Sequence, residues 1–259
     1  MKEREIKTLA QGNQVYSNYT DEDRQVWQIL FDQQMKKLPQ LASRHFLEGL
    51  ERVEFNRNEI PDFSRVNEIL DRLTGWEVVA VEGIVDDRLF FELMAQRKFP
   101  ATTWLRTMAQ LEYLEEPDMF HDVFAHVPLL ANPSFASFLE QISKIGLRYS
   151  GDEEAVELLS RVYWFTVEFG LIREAGQLKI YGAGILSSSG ESSYSVGLEP
   201  MHFEYGVEQI LHTPYRKDIF QDRYFIIDSF EKLYASVEEI EDLIENVMSK
   251  REILTKPTA

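Results

Sequence analysis

Two histidines lie five residues apart in the segment EPDMFHDVFAHVP, residues 116–128, in a chain with five histidines. On a straight α-helix, His121 and His126 would point about 140° apart, since each residue turns by about 100°. We expect Pro117 in the first turn of a short helix and Pro128 at its end. Unwinding near His126 would let both imidazoles bind one metal ion. The alternative is two unrelated helical histidines, one in the core and one on the surface.

A single carboxylate lies within the apolar segment YWFTVEFGLI, residues 163–172. Ionised Glu168 would cost several kcal/mol there unless it is paired or bound to a metal ion. An ion pair with Arg148, Arg161 or Arg173, or a protonated carboxyl, would also explain it. Two histidines and one carboxylate form the ligand set that leaves positions open for oxygen on non-haem Fe(II). Any of the 44 acidic residues could take the third place, so spacing leaves the choice open.

The composition excludes several classes of protein. The chain has no cysteine, which excludes disulfides, zinc ribbons, Fe–S clusters and thiol nucleophiles. A net charge of −17 argues against nucleic acids and anionic membranes as partners. We find no signal peptide and no apolar run near the roughly 20 residues of a membrane span. We therefore expect a soluble, cytoplasmic protein whose metal ligands are nitrogen or oxygen atoms.

Helical periodicity dominates the chain and predicts a mainly α fold with a few short β-strands. The simplest organisation is a flexible N-terminal segment, residues 1–19, followed by a single catalytic domain, residues 20–259. Helices are predicted over residues 20–38, 41–53, 62–75, 86–97, 117–127 and 153–174, from Pro133, and over 237–253. Short strands are predicted at residues 76–82, 178–181 and 224–227. Residues 99–106 read as extended or irregular, and residues 182–197 as a loop of small residues that lets backbone approach a ligand.

Six blocks of sequence occur in the same order in one family of enzymes. They are TGWEVVAVEG (74–83), the FP to TWLR stretch ending at Arg106, YLEEPDMFHDVFAHVPLLANPSFA (113–136), YWFTVEFGLI (163–172), IYGAGILSS (180–188) and YFIIDSFEKLY (224–234). The chain resembles the pterin-dependent aromatic amino acid hydroxylases, most closely their bacterial phenylalanine-hydroxylating members, over about residues 20–250. The resemblance implies the catalytic fold of that family.

The resemblance also implies the chemistry. His121, His126 and Glu168 match the family's ligands to a mononuclear Fe(II), which are catalytic as well as metal-binding. O2 and a tetrahydropterin would be co-substrates, and the reaction would be ring hydroxylation of an aromatic amino acid. Phenylalanine is the expected substrate, with tryptophan or tyrosine as alternatives. The family's regulatory domain and tetramerisation tail have no match here, so we expect a monomer.

Further residues match the family's substrate and pterin sites. Arg106 would pair with the substrate carboxylate, since a planar guanidinium suits that task, and Asp118 would support this arginine. Trp164 would line the pocket for the aromatic ring, and Ser187 would contact the substrate or the network of metal ligands. Taken singly, each of these residues could instead be an ordinary surface or core residue.

The family's pterin-stacking phenylalanine matches Phe90, and the pterin would also meet the backbone near Ile84 and Val85. Lys217 departs from the bacterial pattern, since the relatives have an apolar residue there near the rim of the substrate pocket. That departure leaves the preferred aromatic ring open. Two other classes of protein remain as alternatives, namely a zinc hydrolase using the same three ligands and a non-enzymatic helical binding protein.

Overall fold

A computed structural model describes residues 13–112, 114 and 116–255, with side chains as far as residue 251. The α-helices are Asp21–Met35 (α1), Leu38–Leu41 (α2), Arg44–Arg52 (α3), Phe63–Leu73 (α4), Asp87–Ala95 (α5), Val127–Leu130 (α6), Pro133–Arg148 (α7), Glu153–Tyr163 (α8), Ala183–Ser187 (α9), Glu191–Tyr194 (α10), Val207–Leu211 (α11), Phe230–Ala235 (α12) and Val237–Thr255 (α13). Phe120–His126 and Trp164–Glu168 are π-helices. Tyr16–Asn18 and Met108–Gln110 are short 3-10 turns. The predicted mainly α class is confirmed.

The strands form a small parallel pair and a four-stranded sheet. Glu77–Val81 (β1) pairs in parallel with Lys98–Thr102 (β2). The larger sheet contains Leu171–Glu174 (β3), Gln177–Ile180 (β4), Met201–Glu204 (β5) and Arg223–Ile227 (β6) in the order β4-β3-β6-β5. Only the β3–β4 pair is antiparallel, since β6 runs parallel to both of its neighbours. The sequence did not predict β2 or β5 as strands.

Several helices begin at capping residues that lie at the predicted helix boundaries. Thr20 forms a reciprocal capping box with Asp23 at the start of α1. Asp62 and Asp86 accept backbone N–H groups at the first turns of α4 and α5. Gly75, with a φ of 73°, follows the end of α4 and donates its N–H to Leu70. These boundaries agree with the predictions because capping depends on neighbouring residues.

The predicted helix over residues 153–174 is wrong beyond Glu168. The chain leaves the helical path there and enters β3 at Leu171. Gly170 allows this turn, because a Cβ on Gly170 would lie 2.1 Å from the buried Tyr181 ring. Apolar residues cover every side of this segment because it is buried first as a helix and then as a strand.

The glycine- and serine-rich segment 182–197 is more ordered than the predicted loop. It contains α9 and α10, and distant residues hold α9 in place. The Gln34 side chain donates a hydrogen bond to the carbonyl of Leu186, and the Lys37 ammonium donates one to the carbonyl of Ser189. These contacts reach across about 150 residues of sequence, so local composition does not encode them.

The N-terminal segment predicted as flexible is packed where the structure describes it. Residues 1–12 lie outside the described residues. Gln14 donates a hydrogen bond to the carbonyl of Pro61, and the Tyr19 hydroxyl donates one to the carbonyl of Thr103. The packed part of the chain therefore begins before residue 20.

One cluster of buried apolar residues extends from Val26 to Met248. An aromatic group at its centre supports the first π-helix. Phe120 and Phe124 are stacked with ring centroids 4.5 Å apart, and Trp27 meets both rings edge to face. Such aromatic packing fixes the direction in which the opposite face of the π-helix points. Within the described part of the chain, no helix combines the length and apolarity needed to cross a membrane.

Candidate metal centre

The first π-helix brings the two histidines together. In a π-helix the hydrogen bonds join residues i and i+5, so residues five apart lie about one turn apart. His121 and His126 accordingly have their Nε2 atoms 3.3 Å apart. The prediction that unwinding near His126 is needed is wrong, because the helix widens instead. Pro128 does not end the helix either, since it lies in the first turn of α6, which continues the chain.

Asp118, rather than Pro117, marks the start of this helix. Its carboxylate accepts the backbone N–H of His121, and its carbonyl accepts the N–H of Asp122. A negative charge at that position is favourable beside the unpaired N–H groups of a helix start. Pro117 precedes the helix, so its predicted place in the first turn is wrong.

The second π-helix presents Glu168. The Phe169 N–H donates to the Trp164 carbonyl at 2.9 Å, which closes the wide turn just before the chain enters β3. Gly182 makes room for this segment, because a Cβ there would lie 2.4 Å from the Glu168 carbonyl oxygen. The Glu168 side chain is 14% exposed and faces the histidines. The backbone of Gly182 thus lies close to the backbone of Glu168, whereas the approach of this segment to a bound ligand stays a prediction.

Three ligand atoms converge at this point. The Glu168 carboxylate oxygens lie 3.2 Å from Nε2 of His126 and 3.6 Å from Nε2 of His121. One ligand atom from each residue lies within 4.8 Å of the other two. Distances near 3 Å between ligand atoms are those expected when three ligands bind one face of a metal ion, each at about 2.1 Å from the ion. Two imidazoles and one carboxylate therefore fit a divalent ion such as Fe(II).

The alternative ion pairs for Glu168 are not formed. Arg148 pairs with Glu241, Arg161 with Glu157, and Arg173 with Glu204. Burial would raise the pKa of Glu168, but attraction to His126 and His121 in their protonated forms outweighs burial and lowers that pKa to about 2. The carboxylate is therefore ionised and ready to bind a cation at neutral pH.

Ser187 orients His121. Its hydroxyl donates to the Ala183 carbonyl at 2.9 Å and lies 2.9 Å from Nδ1 of His121. Because the hydroxyl proton is directed at Ala183, Nδ1 of His121 carries the donor proton and Nε2 keeps its lone pair for a metal ion. Ser187 thus contacts the cluster of ligands, one of the two roles predicted for it.

Arg106 and Asp118 form a buried pair next to the first π-helix. The Asp118 carboxylate accepts hydrogen bonds from the Nε, Nη2 and backbone N of Arg106, each at 2.9 Å. Asp118 is 0% exposed and the Arg106 side chain 11%. Since Asp118 also accepts the N–H of His121, it joins the arginine to the histidine-bearing helix. The structure therefore brings together the predicted arginine and its predicted support.

Trp164 begins the π-helix that ends at Glu168. Its ring is stacked on Tyr215 with centroids 4.4 Å apart, and the Lys217 ammonium lies 6.0 Å from the Tyr215 ring centroid. Lys217, which departs from the bacterial pattern, thus contacts the same Tyr215 ring on which Trp164 is stacked. The predicted role of Trp164 in lining the substrate pocket stays a prediction.

The residues predicted for pterin binding lie on one segment. Ile84 is 75% exposed and precedes Val85 and the N-cap of α5. Phe90 lies one turn into α5 and packs edge to face on Tyr163, whose ring also lies near His126. This packing connects the Phe90 side of the site to the metal ligands. Binding of a pterin at Phe90, Ile84 and Val85 stays a prediction.

Asp122 is a neighbour of the site that sequence reasoning did not assign. It accepts hydrogen bonds from the backbone N–H and hydroxyl of Thr102, both at 2.8 Å. This contact ties β2 to the first π-helix between the two histidines. An acidic residue directly after His121 was the available signal, but its partner lies 20 residues away.

Glu191 is another buried carboxylate, and it is not one of the three candidate metal ligands. It accepts the N–H of Gln221 and the hydroxyl of Tyr224. Burial raises the pKa of Glu191, although both hydrogen bonds act in the opposite direction. The folded protein therefore binds more protons here than the unfolded chain, so this group lowers stability as pH rises from about 4.5 toward neutral.

Glu191→Gln is therefore expected to gain stability relative to the parent as pH rises above about 4.5, because the amide oxygen still accepts both hydrogen bonds. Chemical denaturation of parent and variant from pH 4.5 to 8 measures this. Glu140→Gln is the matched control of opposite sign. Burial opposes ionisation there, yet Lys144 and Arg97 lower the pKa of Glu140, so its loss should destabilise the protein over the same range. Parallel curves for parent and Glu191→Gln would contradict the expectation.

Comparison with known proteins agrees with this geometry. The family described as biopterin-dependent aromatic amino acid hydroxylase matches residues 5–252 of the chain. The chain belongs to this family. The phenylalanine-4-hydroxylase of Ralstonia nicotianae is 48% identical over 217 residues, which cover 83% of this chain and 69% of that protein. The resemblance inferred from the sequence blocks is thus confirmed.

Solved structures of the hydroxylase family share the fold. Phenylalanine hydroxylase from Chromobacterium violaceum with iron(III) and 7,8-dihydrobiopterin is 46% identical, with a TM-score of 0.85 over 90% of this chain and 85% of that one. The same enzyme with iron and phenylalanine is 45% identical, with a TM-score of 0.82 over 87% and 82% of the two chains. The hydroxylase catalytic fold predicted from the sequence is confirmed.

Proposed function

We propose that this hydroxylase uses Fe(II), a tetrahydropterin and O2 to convert L-phenylalanine to L-tyrosine, with residues 20–259 as its catalytic domain. The observation that carries the proposal is the convergence of His121, His126 and Glu168 on one point. The relative from Ralstonia nicotianae, which is 48% identical, is a phenylalanine-4-hydroxylase, which supports the substrate. Iron and the reduced pterin supply the activation of O2 and the transfer of one oxygen atom to the ring.

The protein's own residues prepare the metal site. His121 and His126 offer Nε2 lone pairs, and Ser187 keeps the His121 ring in the required tautomer. Glu168 adds a negative charge that offsets part of the charge of a divalent cation. All three ligands come from one face, which leaves the opposite positions open to oxygen.

Arg106 prepares the amino acid site. The Asp118 carboxylate accepts one hydrogen bond from Nε and one from Nη2 of Arg106. Three of the five N–H groups of the Arg106 guanidinium are therefore left for a substrate carboxylate. Since Asp118 is anchored to the start of the first π-helix, the distance between a bound carboxylate and the metal ligands is fixed. A fixed distance allows the aromatic ring to be held toward the metal ion.

The test is anaerobic loading with Fe(II), followed by tetrahydropterin, air and L-phenylalanine, with tyrosine measured by chromatography. Parallel reactions contain tryptophan or tyrosine as the only amino acid. We expect tyrosine from phenylalanine at a higher kcat/KM than any product from the other two. A larger kcat/KM for tryptophan would overturn the substrate assignment, and absence of any hydroxylated amino acid would overturn the enzyme assignment.

That the chain acts in the cytoplasm and as a monomer stays a prediction from its sequence. Sedimentation velocity across a range of concentrations tests the second point, and a sedimentation coefficient that rises with concentration would contradict it. Neither point affects the chemistry proposed for His121, His126 and Glu168.

A further inference from the structure

A buried glutamine outside the metal ligands joins three parts of the protein. The Gln221 side-chain oxygen accepts a hydrogen bond from the indole N–H of Trp164 at 3.0 Å. Its amide nitrogen donates to the carbonyls of Arg216 at 2.8 Å and Ile219 at 3.1 Å. Since one amide group can accept and donate at the same time, the Gln221 side chain links the Trp164 indole to the loop that contains Arg216 and Ile219.

The backbone of Gln221 is itself anchored. Its N–H donates to Glu191 at 3.0 Å, and the same carboxylate oxygen accepts the Tyr224 hydroxyl at 2.7 Å. Glu191 and Gln221 are both about one-twentieth exposed. A buried network of connected hydrogen bonds has little freedom to move. Gln221 is therefore a rigid support for whatever its side chain contacts.

Trp164 is the part of this network nearest to the metal ligands. Its carbonyl closes the π-turn that ends at Glu168, and its ring contacts the rings of both Tyr215 and Phe169. These ring contacts limit the tilt of the indole. The hydrogen bond from the indole N–H to Gln221 restrains the indole further, because it fixes one edge of the ring.

We propose that Gln221 is a positioning residue, which fixes the Trp164 indole so that it presents a constant wall to the ring of the amino acid substrate. The inference rests on the proposed function, since it assumes that Trp164 borders the substrate. Gln221 acts through Trp164 and does not touch the metal ion. Its loss should therefore weaken substrate binding and leave iron binding unchanged.

The experiment measures L-phenylalanine binding by anaerobic calorimetry on Fe(II)-loaded protein, alongside KM and kcat. Gln221→Leu is expected to raise the Kd and KM for phenylalanine about tenfold, the scale of one buried hydrogen bond, with kcat changed less than threefold. Iron content should stay at one per chain. The variant should fold, because the two loop carbonyls that it leaves unpaired belong to exposed residues and the unpaired indole N–H belongs to the half-buried Trp164.

A double-mutant cycle with Trp164→Phe tests the route of the effect, since phenylalanine lacks the indole N–H. In that background Gln221→Leu should change the Kd for phenylalanine less than threefold. An equal tenfold loss in both backgrounds would overturn the proposal, because Gln221 would then act without Trp164. An unchanged Kd in Gln221→Leu alone would overturn it as well.

Tyr205→Phe is the matched control. It removes another partly buried hydrogen bond, the one between the Tyr205 and Ser236 hydroxyls, which lie 2.7 Å apart at the end of α12. It should lower the melting temperature without changing the Kd for phenylalanine, and an equal rise in that Kd would show only general loosening and overturn the proposal. A parent protein that makes no tyrosine refutes the proposed function, whereas a parent that makes tyrosine while Gln221→Leu binds normally refutes this inference alone.

Discussion

Glu168→Gln is expected to lose stoichiometric iron binding and, with it, formation of tyrosine. The neutral amide keeps the shape of the side chain but removes the only negative charge among the three ligands. Residues that merely orient a ligand change metal affinity by about 10- to 100-fold, so replacing the ligand itself should cost more than a hundredfold. Iron analysis after gel filtration and a chromatographic tyrosine assay measure the two losses.

Metal-free protein gives a second measurement for Glu168. The pKa of this carboxyl is held at about 2 in the folded chain, below its ordinary 4.5, so the ionised form contributes stability above pH 4.5 that is lost as pH falls toward 2. Glu168→Gln should lack this contribution and unfold with a flatter pH dependence in that range. The metal-free comparison separates the electrostatic effect on the fold from the effect on iron.

Glu157→Gln is the control for the Glu168 variant. Glu157 lies on α8, where it pairs with Arg161 four residues later and is 62% exposed. Its loss should leave iron content and tyrosine formation at the parent level, because exposed pairs of this kind contribute little. Full iron occupancy and parental turnover in Glu168→Gln would refute the proposed ligand set.

Asp118→Asn is expected to have the second largest effect, on both stability and substrate binding. The amide cannot accept the three hydrogen bonds of Arg106 and the N–H of His121 together, and it leaves a mostly buried guanidinium without its counter-charge. Breaking a buried pair from one side costs about 3 kcal/mol or more. The KM for phenylalanine should rise by at least tenfold, since Arg106 would no longer be held in place.

A surface pair provides the control for Asp118. Arg57 and Asp32 make the same two-pronged contact at 2.8 and 2.7 Å, but their side chains are 48% and 40% exposed. Asp32→Asn should leave the unfolding midpoint and the KM close to those of the parent, because water screens this pair. Equal changes in the unfolding midpoint and the KM for Asp118→Asn and Asp32→Asn would contradict the expectation, because burial of the Arg106–Asp118 pair would then have no effect on either.

The sequence predicted the starts of α1, α4, α5, α7, α8 and α13, because the signals at helix starts are local. Thr20, Asp62 and Asp86 each cap a helix with their own side chain, and the residues that they contact follow within three positions. The resemblance to a family, rather than spacing, selected Glu168 among the acidic residues. Once three matched residues are named, the structure shows that they meet.

The wide helical turns were not predictable from periodicity. A π-turn has no composition of its own, and here the two π-turns are accompanied by contacts of Phe120 and Phe124 with Trp27 and of Gly170 with Tyr181. The Gln221 network was missed for a similar reason, since its bond to Trp164 spans 57 positions. Side-chain networks of this kind appear only when the whole chain is packed.

The first π-helix also fixes the number of residues that can lie between His121 and His126. Removing one residue between His121 and His126 would return the segment to α-helical spacing, in which residues four apart share a face. The imidazoles would still meet, but everything after His126 would rotate by about 100°. Pro128 cannot accept that rotation, because its carbonyl is packed closely against Gly49. A Cβ added to Gly49 would lie only 2.1 Å from the Pro128 carbonyl oxygen. Insertions and deletions in this segment should therefore be tolerated less than substitutions.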